Sequence, residues 1–87
     1  MKLYTDLETT DKYIVREFDQ NIDPIELIWH RDNEDRTVTV LEGKGWQFQR
    51  DNELPLVLSE GVRIFIPKYK WHRVIKGTGT LKLKINI

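Results

Sequence analysis

The chain has 87 residues, 39% of them apolar and 32% charged, which is enough for one domain with a small core. Its 14 basic and 14 acidic side chains cancel, which disfavours nucleic acid and anionic membranes as partners because both attract a basic surface. The lack of cysteine excludes disulfides, thiolate metal sites and cysteine nucleophiles. No segment has the apolar length of a signal peptide or a membrane-spanning helix, so we expect a soluble, cytoplasmic protein.

Most apolar residues recur with a period of two, which is typical of β-strands with one buried face. Strands are predicted, in chain order, at 13–18, 25–29, 37–41, 57–58, 62–66 and 81–87. Turn-forming residues such as Asp23-Pro24 and Gly77-Thr78-Gly79 separate these segments at short intervals. Thr5 and Glu8 have the spacing of a helix start, but no helical apolar stripe follows them. We therefore predict one all-β domain over residues 1–87, built as a sandwich or a barrel.

Both histidines occur in the same tripeptide, Trp-His-Arg, at positions 29–31 and 71–73. In an extended strand, residues of equal parity share a face. His30 is therefore predicted to share a face with Asp32 and Arg36, provided that the turn at 33–35 keeps the phase. Val38 and Val40 continue that face, and His72 shares its own face with Val74. The pattern predicts a group of polar side chains at one end of an apolar wall.

These residues resemble the two motifs of the cupins. The first motif runs glycine, histidine-x-histidine, glutamate and glycine, and His30 and Gly43 match it over about 28–43. The second runs glycine, proline, glycine, histidine and asparagine, and Gly61, Pro67 and His72 match it over about 61–76. The resemblance covers about 25–87 and implies a small antiparallel cupin barrel, that is, a double-stranded β-helix or jelly roll.

Four motif positions depart from the cupin pattern. Asp32 stands in place of the second histidine, and Arg36 in place of the glutamate. Tyr69 replaces the glycine of the second motif, and Lys76 replaces its asparagine. Cupins with the full set usually hold a divalent metal on three histidines and one glutamate. Only two of those four ligands remain here, so the resemblance implies the fold more directly than it implies a metal.

The sequence supports three interpretations of the site. In the first, His30, Asp32 and His72 hold iron, manganese, nickel or zinc, as in an Fe(II)-type oxygenase or isomerase. The order His-x-Asp…His also occurs in 2-oxoglutarate-dependent oxygenases, which share a related barrel but have much longer chains. In the second, Asp32 and Arg36 form a salt bridge, and the chain is a metal-free binding or structural module.

In the third interpretation, Arg36 and the two histidines line a barrel mouth that binds a small anionic molecule. Metal-free cupins that act as sugar-nucleotide epimerases use a histidine base in such a pocket, and Tyr69 is the candidate for their tyrosine. Trp29 and Trp71 flank the histidines and are further candidate ligand contacts, with packing as the alternative. The sequence alone leaves these interpretations open.

A homodimer is also expected. The predicted strand 25–29 is apolar on both faces, so both faces should be covered. The cover would be strand 13–18 or the same surface of a second chain. A β domain of this size gains stability from such an association, and small cupins are commonly dimers.

Overall fold

The computed structural model describes residues 3–87, which form eight β-strands and one short 3₁₀ helix. The strands are β1 Thr5–Thr9, β2 Tyr13–Phe18, β3 Arg36–Lys44, β4 Gln47–Arg50, β5 Leu56–Val57, β6 Arg63–Ile66, β7 His72–Ile75 and β8 Thr78–Asn86. The 3₁₀ helix is Pro24–Glu26. In the described part of the chain, no helix has the length and apolarity needed to cross a membrane.

The strands form two antiparallel sheets that enclose the core. The larger sheet has the order β1-β2-β8-β3-β6, and the smaller has the order β5-β4-β7. Strand β8 lies at the centre of the larger sheet, where Leu81, Leu83 and Ile85 are buried and the lysines between them face outward. Trp46 and Phe48 cover this layer from the other side. The all-β prediction is therefore confirmed.

Two strands carried no sequence signal. Strand β1 is exposed along its whole length, so it has no alternation of apolar and polar residues. Strand β4 has one apolar residue, Phe48, between two glutamines. Periodicity cannot identify a strand from a single apolar position.

The predicted strand at 25–29 is wrong. Pro24 begins a 3₁₀ turn, and the Asp23 carboxylate accepts a hydrogen bond from the Ile25 amide at 3.1 Å. Ile25 and Ile28 are 78% and 65% exposed, so within residues 3–87 no second layer covers these two side chains. Strand 13–18 does not cover it either, because it pairs with β8 in the larger sheet. The homodimer was expected because a strand at 25–29 would be apolar on both faces. That strand does not form, so the homodimer stays a prediction without this argument.

Gly77 allows the turn between β7 and β8 to pass directly against the turn between β3 and β4. A Cβ atom at this position would collide with the backbone of Gly45 and Trp46. Only glycine fits such an approach. The contact between the turns buries Trp46 completely, and its indole N–H donates to the Gly79 carbonyl at 3.3 Å.

Candidate metal centre

The two histidines form a backbone bridge that brings their rings together. The amide of His30 donates to the carbonyl of His72 at 2.9 Å, and the amide of His72 donates to the carbonyl of His30 at 2.9 Å. Residues paired in this way place their side chains on the same face of the sheet. The ring centroids are accordingly 4.3 Å apart. His72 is buried, whereas His30 lies exposed at the mouth of the barrel.

The same bridge turns the flanking residues outward. The Arg73 guanidinium lies 4.8 Å from the Trp29 ring centroid, and that of Arg31 lies 5.3 Å from the Trp71 centroid. Both tryptophans are more than a third exposed, and Tyr69 is 58% exposed. None of these three aromatic residues lines the cavity beside the histidines. Trp29, Trp71 and Tyr69 therefore lie outside this cavity, and their role as ligand contacts stays a prediction.

Asp32 completes a cluster with the two histidines. The candidate ligand atoms of His30, Asp32 and His72 all lie within 4.8 Å of one another. Two hydrogen bonds hold the following turn: the Asp32 carbonyl accepts from the Tyr69 amide at 2.7 Å, and the Asp35 carboxylate accepts from the Lys68 amide at 2.9 Å. The turn at 33–35 therefore keeps the predicted phase, so that His30, Asp32 and Arg36 share a face. The structure brings together the three residues predicted as metal ligands.

Backbone carbonyls fix the tautomers of both rings. The Nδ1 atom of His72 lies 2.8 Å from the Lys70 carbonyl oxygen, and Nδ1 of His30 lies 3.1 Å from the Ile28 carbonyl oxygen. A carbonyl oxygen only accepts, so each Nδ1 must carry the hydrogen. In the neutral rings, both Nε2 atoms then keep a free lone pair. Metal-binding histidines are commonly oriented by this kind of bond to a carbonyl.

His72 is neutral near pH 7. Burial lowers its pKa, and the nearby His30 lowers it further, against the opposing effects of the Lys70 carbonyl and Asp32. Its Nε2 lies 3.5 Å from Oδ2 of Asp32. This contact is therefore not an ion pair but an approach of two electron-pair donors. A cation between them would bind both atoms.

Arg36 lies near the same carboxylate oxygen as His72. Its Nε is 3.8 Å from Oδ2 of Asp32, and each side chain is about a quarter exposed. The predicted Asp32–Arg36 pair therefore forms, but at a distance too long for a hydrogen bond. Such a pair contributes little to stability.

The cluster opens into a cavity of about 110 Å³ in the barrel interior. Its wall is mainly apolar and includes Val38, Phe48 and Ile66, while Arg36 and Arg16 are its two arginines. Sequence reasoning missed Arg16. The signal was available, because Arg16 has the parity of the inward-facing Phe18 in β2.

No family model matches the chain, and no curated protein matches it. Solved structures do match. A cupin-2 domain protein from Shewanella frigidimarina is 18% identical, with a TM-score of 0.65 over 97% of this chain and 78% of that chain. The hydroxypropylphosphonic acid epoxidase from S. wedmorenis in complex with fosfomycin is 23% identical, with a TM-score of 0.68 over 95% of this chain and 49% of that chain.

Several further matches are solved structures of a protein named HppE, with and without bound metal or substrate. FeII HppE in complex with substrate is 20% identical, with a TM-score of 0.68 over 98% of this chain. The chain spans between 40% and 53% of the length of the epoxidase structures that it matches. Similarity at this level of identity establishes the fold alone. The chain has the cupin fold, as the motif resemblance implied.

Proposed function

We propose that the chain binds a divalent transition metal through Nε2 of His30, Nε2 of His72 and the carboxylate of Asp32, and binds a small molecule beside it. The 3.5 Å approach of the His72 Nε2 lone pair to the Asp32 carboxylate carries this proposal. Two acceptors at this distance can both coordinate a cation that lies between them. The Nδ1–H bonds to Lys70 and Ile28 support the proposal, because they hold both rings in the ligating tautomer.

The donor set favours iron, with manganese, nickel and zinc as alternatives. Two imidazoles and one carboxylate on one side of an ion match a facial triad, which leaves coordination positions open. Matched structures of HppE include FeII and CoII forms with substrate, which supports the same choice. Such a metal supplies Lewis-acid activation and, when it is iron, access to oxygen chemistry.

The residues around the cluster are suited to a small ligand. Phe48 packs against the His72 ring at a centroid distance of 5.5 Å and forms part of the apolar wall beside the cluster. His30 lies at the open mouth, so a ligand can approach the cluster from solvent without any movement of the barrel. The apolar wall below favours a ligand with an aliphatic part.

Metal content, measured by plasma mass spectrometry on tag-free protein, tests the proposal. We expect about one first-row metal ion per chain. Asp32→Asn should lose it, whereas Glu34→Gln, an exposed residue of the adjacent turn, should retain it. Absence of metal after incubation with iron, nickel and zinc would contradict the proposal.

A metal-free binding module is the second candidate, and the contact between Arg36 and Asp32 favours it. In this case Asp32→Asn alters no metal content. It lowers stability by no more than about 1 kcal/mol, because the contact that Arg36 loses is long and partly exposed. Parallel metal and unfolding measurements on this variant therefore separate the two candidates.

A further inference from the structure

Of the two arginines that line the cavity, Arg36 has the fewer partners for its N–H donors. Its side chain is 24% exposed, and within residues 3–87 it makes no hydrogen bond and only the 3.8 Å contact with Asp32. A guanidinium carries several N–H donors in a planar fork that suits a carboxylate. Arg36 therefore has donors free at the mouth of the cavity.

Arg16, the other arginine of the cavity, is held firmly by comparison. Its Nε and Nη2 donate to the two carboxylate oxygens of Asp6 at 2.8 and 3.3 Å. Its guanidinium also stacks at 3.7 Å on the ring of Tyr4. The charge of Arg16 is thus compensated by a partner of its own, whereas Arg36 depends on a carboxylate that is also a proposed metal ligand.

Asp32 cannot both ligate a metal ion and fully compensate the charge of Arg36. A divalent ion on two neutral imidazoles and one carboxylate retains a positive charge, and Arg36 adds a second one beside it. Binding of the metal would therefore place the Arg36 guanidinium beside a second positive charge that Asp32 cannot fully neutralise, which is unfavourable. An anion at Arg36 removes that cost. Metal and anion should consequently each strengthen the binding of the other.

The cavity limits what the anion can be. Its volume of about 110 Å³ is smaller than the cavity of about 150 Å³ that accommodates benzene, and its wall is mainly apolar. This space suits an acid with a short aliphatic body. We infer that Arg36 binds the head group of a small aliphatic acid and that this acid and the metal bind cooperatively, an inference that rests on the proposed metal site.

The experiment measures the dissociation constant of Co²⁺ by calorimetry on the full chain, alone, with excess butyrate and with excess butyramide. Butyramide has the shape of butyrate without its charge. We expect butyrate to tighten Co²⁺ binding about fivefold or more and butyramide to leave it unchanged. Butyrate in solution competes weakly for Co²⁺, so this competition would act against the expected effect.

Variants assign the effect to Arg36. Arg36→Gln should abolish the butyrate effect and bind Co²⁺ at least as tightly as the wild type without butyrate. Arg36→Lys should keep a reduced effect, because it retains the charge without the fork. Arg63→Gln, an exposed change on β6, is the control and should behave as the wild type.

Two outcomes overturn the inference alone: tight Co²⁺ binding that butyrate does not change, and a butyrate effect that persists in folded Arg36→Gln. Failure of the wild type to bind Co²⁺ under any condition overturns the proposed metal site and the inference with it. The wild-type titration without butyrate therefore separates the two failures.

Discussion

Nε2 of His72 lies 3.5 Å from Oδ2 of Asp32, and both atoms present lone pairs because the ring hydrogen of His72 goes to the Lys70 carbonyl. The contact is formed by residues 40 positions apart in the sequence, brought together by the bridge between His30 and His72. Within residues 3–87, neither atom has a hydrogen-bond donor of its own. A metal ion would be the shared partner of both atoms.

The two histidines differ in burial, which separates metal binding from stability. His30→Gln and His72→Ala should each weaken metal binding by about 100-fold or more, since loss of even an outer-shell partner costs 10–100-fold. His30 is exposed, so its replacement should leave the stability of the metal-free protein nearly unchanged. His72 is buried against Phe48, so its truncation should cost about 1–3 kcal/mol. Calorimetry and urea unfolding measure the two effects.

Stability of the metal-free protein should fall below neutral pH. Burial and His30 lower the pKa of folded His72, so near pH 6.5 the unfolded chain binds a proton that the folded chain does not. The free energy of unfolding is then unaffected by His72 above that pH and decreases as the pH falls, until the folded pKa is reached. Urea midpoints at about pH 7.5 and about pH 5.5 avoid most carboxylate titration. His72→Gln should reduce the difference between them, and an undiminished difference would contradict the assignment.

The contact between two turns at Gly77 should be intolerant of any side chain. Gly77→Ala would place a methyl group against the backbone of Gly45 and Trp46 and should cost about 4 kcal/mol or more. Gly79→Ala is the matched control, because φ there is +69° but nothing lies within 4 Å of the added atom. It should cost about 1 kcal/mol from backbone strain alone. Equal costs for the two variants in urea unfolding would disprove the steric argument.

Tyr69 carries backbone strain at a position where the cupin motif has glycine. Its φ is +64°, in the left-handed region that disfavours residues with a Cβ atom. Because the ring is 58% exposed, little packing would be lost on its removal. Tyr69→Gly should therefore raise the free energy of unfolding by about 0.5–1 kcal/mol, after the greater freedom of glycine in the unfolded chain is considered. A clear loss of stability would show that the exposed ring contributes more than the strain costs.

The sequence predicts the structure best where apolar and polar residues alternate clearly. Strand β8 alternates apolar residues and lysines over most of its length, and parity correctly placed His30, Asp32 and Arg36 on one side. Segment 25–29 failed because the Asp23-Pro24 pair starts a turn that outweighs a short run of apolar residues.

Other features of the site depend on contacts between distant segments. Trp29 and Trp71 adjoin the histidines in sequence but do not line the cavity beside them, because adjacent residues in an extended chain point to opposite faces. Each of these rings instead stacks with the arginine of the other tripeptide. The ring tautomers depend on carbonyl positions that no residue pattern encodes. Metal binding, the small ligand and the homodimer stay predictions.

A crystal structure of protein loaded with Fe²⁺ under anaerobic conditions, with anomalous data at the iron edge, tests the central claim most directly. We predict one anomalous peak at about 2.0–2.2 Å from Nε2 of His30, Nε2 of His72 and a carboxylate oxygen of Asp32. An empty cluster in loaded crystals, with Asp32 hydrogen-bonded to Arg36, would contradict the metal site and favour the metal-free module.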